Sequence, residues 1–134
     1  MNIAAYLWIA IGGALGSVGR FWFSGLVARQ FGETFPWGTL LVNVSGSFAI
    51  GFFATLTSSE GRWLAPTGFR QFFIYGVCGG YTTFSSFSWQ TLELAQNGQW
   101  LRAGGNVLGS VALCLIAVWL GHVLAAGINS MKGA

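Results

Sequence analysis

From Gln71 to Leu92 the chain carries no charge, and this stretch is long enough to cross a bilayer as a helix rising about 1.5 Å per residue. Its centre reads Gly76-Val77-Cys78-Gly79-Gly80-Tyr81-Thr82-Thr83-Phe84-Ser85-Ser86-Phe87-Ser88. Lipid would suit apolar residues there; the sequence instead supplies glycines and hydroxyls. A membrane helix hides its backbone polar groups in its own hydrogen bonds, and irregular backbone at mid-depth persists only where protein buries it or water reaches it. The run therefore predicts a helix that opens near the middle of the membrane. Helices broken at that depth are where transporters and channels hold ions.

The rest of the chain obeys the same constraint. Charged residues make up 7% of the chain and hydrophobic residues 54%, whereas a soluble domain carries roughly a quarter charged residues. Residues 34–59, 71–92 and 103–131 are uncharged, and Arg20 is the sole charge in residues 1–28. The pattern predicts an all-α integral membrane protein with four transmembrane helices, roughly 4–28, 37–57, 70–91 and 101–125, in a single domain over 1–134. Turn chemistry falls between them: Gly32 and Pro36, Gly61 and Pro66, then Asn97-Gly98. No basic cluster precedes the first apolar run, so the first helix is expected to stay rather than be cleaved as a signal peptide.

With four helices both termini share a side, which receives Arg62, Arg70 and Lys132; the other receives Arg20, Arg29 and Arg102. Orientation normally follows Lys/Arg asymmetry, and here there is none. Either one strong flank decides, or the chain inserts both ways and pairs with an inverted copy. The net charge of +3 is dispersed over helix ends and does not point to nucleic acid.

Catalytic chemistry is not visible. Nothing resembles a Ser/His/Asp triad, a phosphate loop or paired carboxylates, so the chain does not read as an enzyme. Cys78 and Cys114 lack metal-ligand spacing and read as small packing residues. His122 stands alone, and Glu93 is expected to face water. Gly12-Gly13 to Gly16 follows no strand, which excludes a dinucleotide fingerprint. Small residues do recur four apart: Gly12 and Gly16, Ser47 and Gly51, Gly76 and Gly80, Gly105 and Gly109. That spacing lets membrane helices approach closely.

Two polar stripes complement the opened helix. Thr39, Asn43 and Ser47 share a face of the second helix, and Asn106, Ser110 and Cys114 share a face of the fourth. Together they outline a polar pathway. No carboxylate lies mid-membrane, so a proton relay or an acidic cation ring is missing. What remains is amide N–H, hydroxyl O–H and aromatic edges. Phe84 and Phe87 share a helix face, and a phenyl ring has a negative face and a positive edge. Edges turned toward a narrow path suit a small anion, although two phenylalanines at this spacing also serve as simple packing. Arg20, near a helix end, could draw an anion into a wet vestibule or could merely snorkel to the interface.

These residues resemble the small bacterial fluoride channels of the Fluc or CrcB family, collinearly along nearly the whole chain. The likeness comprises Gly12-Gly13, Gly16 and Arg20 in the first helix and Gly38-Thr39-Leu40, Asn43 and Gly46 in the second. The third helix carries Gly79-Gly80-Tyr81-Thr82-Thr83-Phe84-Ser85-Ser86-Phe87-Ser88, and the fourth Gly109-Ser110. Ser86 replaces a usual Thr and keeps the hydroxyl; Tyr81 stands where an aliphatic residue is common. The resemblance implies an antiparallel, dual-topology homodimer with two pores in the cell inner (plasma) membrane. It implies passive, selective fluoride export that lowers intracellular fluoride. Fluoride enters from acid as neutral HF and ionises inside; the negative-inside potential then drives the anion out through a pore. By motif, Asn43 and the edges of Phe84 and Phe87 would line the path, with Ser85, Ser88 and Ser110 near it and Thr39 and Arg20 as further candidates. A structural Na+ at the dimer interface is also implied, held by backbone carbonyls matched here by Gly79 and Thr82. The leading alternative, a small multidrug-type four-helix exporter, needs a first-helix carboxylate, and none precedes Glu33. A membrane assembly factor would not require the polar stripes to align with Phe84 and Phe87.

Overall fold

The computed structural model describes residues 2–131 and is all-helical. Lys132, part of the charge balance above, lies outside the described residues. Helix α1 (Ile3–Phe31) begins where the Asn2 side chain accepts a hydrogen bond from Ala4 N–H at 3.1 Å, which satisfies one of the donors left over at a helix start. It ends at Gly32, whose φ of 77° few other residues adopt. Helix α2 (Trp37–Leu56) starts after Pro36 and ends at Thr57. Helix α6 (Trp100–Ser130) follows the Asn97-Gly98 turn, where Gly98 has φ 73°. These three helices are long and apolar enough to cross a membrane, and their outer faces are apolar, with Phe21 83% and Leu101 92% exposed.

The third segment is built from pieces. It comprises α3 (Thr67–Arg70), a π-helical stretch over Gln71–Cys78, α4 (Gly79–Tyr81) and α5 (Phe84–Gln96). Between α4 and α5, Thr82 (ψ 156°) and Thr83 (φ -152°, ψ 111°) are extended. The helical path thus runs from Thr67 to Gln96 with this interruption, longer than the 70–91 read from charge. Pro66 and the Asn97-Gly98 turn set its ends more firmly than the last apolar residue does. The fourth helix likewise continues past 125 to Ser130. Asn129 anchors its end, donating to Thr55 O at 3.0 Å and accepting from Arg62 N–H at 2.8 Å. His122 is tied in as well, with Nδ1 2.9 Å from Thr55 Oγ1, and the Arg70 guanidinium donates to Thr57 O.

Two close helix pairs hold the bundle: α2 on α6, and α1 on the π-helical stretch and α4. Glycine makes both possible. A Cβ on Gly76 would sit 2.8 Å from Gly12 Cα, and one on Gly16 would sit 2.8 Å from Tyr81 N. Gly51 and Gly121 lie against the backbone of Val118 and Phe48. The small-residue spacing therefore marks backbone contact at Gly12 and Gly16, at Gly76 and Gly80, and at Gly51. The fourth pair behaves otherwise: Gly105 and Gly109 have open space within 4 Å.

Replacing Gly16 with Val should force α1 away from Tyr81 and lower stability by about 1–3 kcal/mol, as overpacking usually does. Gly25 has nothing within 4 Å, so Gly25→Ala should leave stability unchanged or slightly raised. Thermal unfolding of the two purified variants checks the contrast.

Candidate functional site

The extended pair Thr82–Thr83 is the centre of the site, and Asn43 of α2 holds it. Asn43 Oδ1 accepts from Thr83 N–H at 2.7 Å, and its Nδ2 donates to Thr83 O at 3.0 Å. Both hydrogen bonds go to backbone, whose donor and acceptor are fixed, so the amide has one possible orientation. Its oxygen is occupied by an N–H, and one amide proton remains for another partner.

Thr83 also caps the helix that follows. Its Oγ1 accepts from Ser86 N–H at 3.2 Å and lies 3.3 Å from Ser85 Oγ. In an unbroken helix Thr83 N–H would donate to Gly79 O and Ser86 N–H to Thr82 O. Both donors are diverted, to Asn43 and to Thr83 Oγ1, so the carbonyls of Gly79 and Thr82 lose their usual helical partners. Two neighbouring carbonyls do have partners: Cys78 O accepts from Thr82 N–H at 3.0 Å and Thr82 Oγ1 at 2.9 Å, and Gly80 O from Ser17 Oγ at 3.4 Å. Two carbonyls without their helical donors are the type of ligand a hard cation takes.

Two concavities meet at Thr83, which is 8% exposed. The larger, about 1000 Å³, is an open vestibule bordered by Arg20, Thr39, Ser86, Gln90 and Glu93 among others. Gln90 Oε1 is buried there without a protein hydrogen-bond partner. The smaller, about 370 Å³, is bordered by Asn43, Ser47, Gly79, Thr82, Phe84, Phe87, Ser110 and both cysteines. None of its described lining residues is Asp, Glu, Lys, Arg or His. Both cysteines are free thiols.

The residues singled out from sequence are thus divided. Arg20 and Thr39 border the vestibule; Asn43, Phe84, Phe87, Ser110, Gly79 and Thr82 border the inner cavity. Ser85 and Ser88 border neither; Ser88 Oγ donates to Phe84 O at 2.9 Å. The two phenylalanine rings lie 5.3 Å apart between centroids but differ in setting: Phe87 is 9% and Phe84 77% exposed. Thr83 and Gln90 were not singled out. Thr83 was visible only as one hydroxyl in a run, and its pairing with Asn43 spans forty residues of sequence. Tyr81, at the position where an aliphatic residue is usual, places its hydroxyl 3.0 Å from Ser45 Oγ.

An all-helical chain with apolar outer faces, three helices fit to cross a membrane and a charge-free inner cavity that adjoins a polar vestibule at Thr83 belongs to the class of integral membrane transport proteins. The CrcB-like family model (CrcB-like protein, Camphor Resistance) matches residues 7–122, and the chain belongs to that family. It is 67% identical to "Fluoride-specific ion channel FluC" of Opitutus terrae, over 98% of this chain and 100% of that protein. It is 61% identical to a protein of the same name from Methylocella silvestris, over 96% of this chain and 98% of that one. A third, from Rhodospirillum rubrum, is 64% identical over 92% of this chain and 96% of that one.

Asn43→Leu keeps bulk and removes both bonds to Thr83. The Thr83 amide proton should then exchange with solvent about tenfold faster, the equivalent of one lost hydrogen bond. Hydrogen exchange resolved to the 80–86 segment reads the change, with α6 amides as the internal reference.

Proposed function

We propose that the chain is a passive fluoride channel that lets fluoride leave the cytoplasm down its electrochemical gradient. The observation that carries this reading is the charge-free inner cavity, in which Asn43, Phe87 and Ser110 meet at an interrupted helix. High identity over nearly full length to proteins named fluoride-specific channels supports it. A pore for a small, strongly hydrated anion must replace water's hydrogen bonds and must not hold the ion by fixed positive charge. In this reading Arg20 raises the local anion concentration in the vestibule without standing in the narrow part. Past Thr83, the free Asn43 amide proton and the positive edges of the phenyl rings substitute for water. The absence of a lining carboxylate removes a repulsive charge from a low-dielectric path. No proton relay is needed, because the membrane potential supplies the drive.

The finer points are proposals as well. The interruption at Thr82–Thr83 lies at mid-membrane, and the third segment spans as one broken helix. Two copies pair in antiparallel, dual-topology fashion in the inner membrane, which the even spread of Lys/Arg favours. Exposed Gly79 and Phe84 face the second copy. Sodium fits the site through the carbonyls of Gly79 and Thr82, which have lost their helical donors; bound there, it would supply charge that holds two inverted breaks together. Ser85 and Ser88 act, if at all, from outside the cavity of a single chain. A multidrug-type exporter is disfavoured, since α1 contains no carboxylate.

Liposomes holding only this purified chain should release fluoride and retain chloride. Asn43→Asp should abolish flux, because a carboxylate both repels the ion and faces Thr83 O without a proton to donate. Phe87→Ile and Phe84→Ile keep apolar bulk but remove the ring edge, and each should reduce flux by at least tenfold. Cys114→Ala should conduct like the parent. If both Phe→Ile variants conduct normally, the rings are packing and this account of selectivity fails.

Exhaustive sodium removal should lower flux or separate the copies, whereas Thr82→Ser should have only a mild effect, because the ligand is a backbone carbonyl. A C-terminal reporter should signal from both sides of the membrane. Signal from one side alone would remove the dual-topology proposal without touching the channel.

A further inference from the structure

We propose that Asn106 is a positioning residue that fixes the direction of the Ser110 hydroxyl, and thereby how readily Ser110 gives its proton to an anion in the inner cavity. The inference rests on the channel reading above. Asn106 is 2% exposed and borders neither cavity. Its Nδ2 donates to Thr91 Oγ1 at 2.8 Å, and Thr91 Oγ1 donates to Phe87 O at 2.7 Å. At the other end, Ser110 Oγ donates to Asn106 Oδ1 at 3.3 Å.

The direction of this chain is set from its far end. Phe87 O is a carbonyl and only accepts, so Thr91 commits its one hydroxyl proton there. Asn106 then meets Thr91 with the only group that donates, Nδ2. Its Oδ1 is left for Ser110, and Ser110 must be the donor. The Ser110 proton is therefore committed to Asn106, which borders neither cavity, although Ser110 itself borders the inner one. This last link is also the longest: O–H···O bonds usually measure about 2.7–2.8 Å. A desolvated anion is a stronger acceptor than a neutral amide oxygen. An ion in the cavity thus accepts the Ser110 hydrogen bond at the expense of one weak bond, and Asn106 sets how weak that bond is.

The test is a fluorine NMR titration of purified full-length protein with fluoride, which reads the dissociation constant without requiring conduction. The parent is compared with Thr91→Val and Asn106→Leu, each alone and combined with Ser110→Ala. Thr91→Val preserves shape and lies outside both cavities. It frees the Asn106 amide to turn Nδ2 toward Ser110, which releases the serine proton. Asn106→Leu removes the competing acceptor outright. Each should tighten fluoride binding by roughly three- to tenfold, and the gain should vanish in the Ser110→Ala background, as coupling through one network requires. An unchanged dissociation constant in Thr91→Val, or a gain that persists with Ser110→Ala, overturns the proposal. Efflux by the parent chain is measured in parallel. Failure there removes the channel reading, whereas a conducting parent with no coupling removes only this role of Asn106.

Discussion

Everything at the site depends on the two hydrogen bonds between Asn43 and the backbone of Thr83. An extended pair of residues in the middle of a helical segment leaves backbone groups without partners, and in an apolar setting each such group costs on the order of a few kcal/mol. The Asn43 amide meets one donor and one acceptor of the same residue. Thr83 Oγ1 meets a third group, Ser86 N–H, at the start of α5. Three potential vacancies are closed by two side chains, and the carbonyls of Gly79 and Thr82 are among the groups left without a helical partner. Asn43 and Thr83 Oγ1 thus take up the Thr83 and Ser86 N–H groups, and the Gly79 and Thr82 carbonyls lose the helical donors that those groups would have been.

The close approach of α1 explains why the break can be held in place. Gly12 and Gly16 let α1 lie directly on the backbone of Gly76 and Tyr81, and Ser17 donates to Gly80 O from the same helix. Helix α2 contributes Asn43, which holds Thr83. The residues on either side of Thr82 are thus tied to two long helices. Dispersion contacts between backbones are individually small and collectively large, and any added Cβ at Gly12 or Gly16 would remove many at once. The open space around Gly105 and Gly109 shows the converse: the same spacing on α6 has no partner within 4 Å among the described residues.

Much of this was legible because a bilayer leaves so few alternatives. Stretches with little or no charge located all four helical segments, and the extended pair Thr82–Thr83 falls within the glycine and hydroxyl run. The ends were read too short, because turn residues and the Asn129 anchor, not hydropathy, decide where α5 and α6 stop. The division of the α2 stripe was also hidden. Thr39, Asn43 and Ser47 share a face by helical period, but Thr83, from another segment, separates the vestibule at Thr39 from the cavity at Asn43 and Ser47. Periodicity assigns a face to a residue; it does not say which element crosses that face. The unequal settings of Phe84 and Phe87 have the same origin, since their three-residue offset predicts a shared side but not which of the two is covered.

An uncharged pathway has to recognise an ion by dipole direction, and direction is meaningful only if the dipoles cannot turn. In this chain the directions are fixed by backbone. Thr83 presents N–H and C=O to Asn43, so the amide cannot flip, and its free proton stays available. Phe87 O forces the order Thr91, Asn106, Ser110, so the serine proton is turned aside until something stronger accepts it. A lone hydroxyl or amide in the same place would rotate to suit a cation as readily as an anion. Burial of Asn106 and half-burial of Asn43 restrict that freedom, at the desolvation cost that their hydrogen bonds offset. Two asparagines on different helices thus prepare the same cavity in opposite senses. One offers a proton, and the other withholds one from its neighbour. A path built this way would bind its ion weakly enough to release it, as conduction requires.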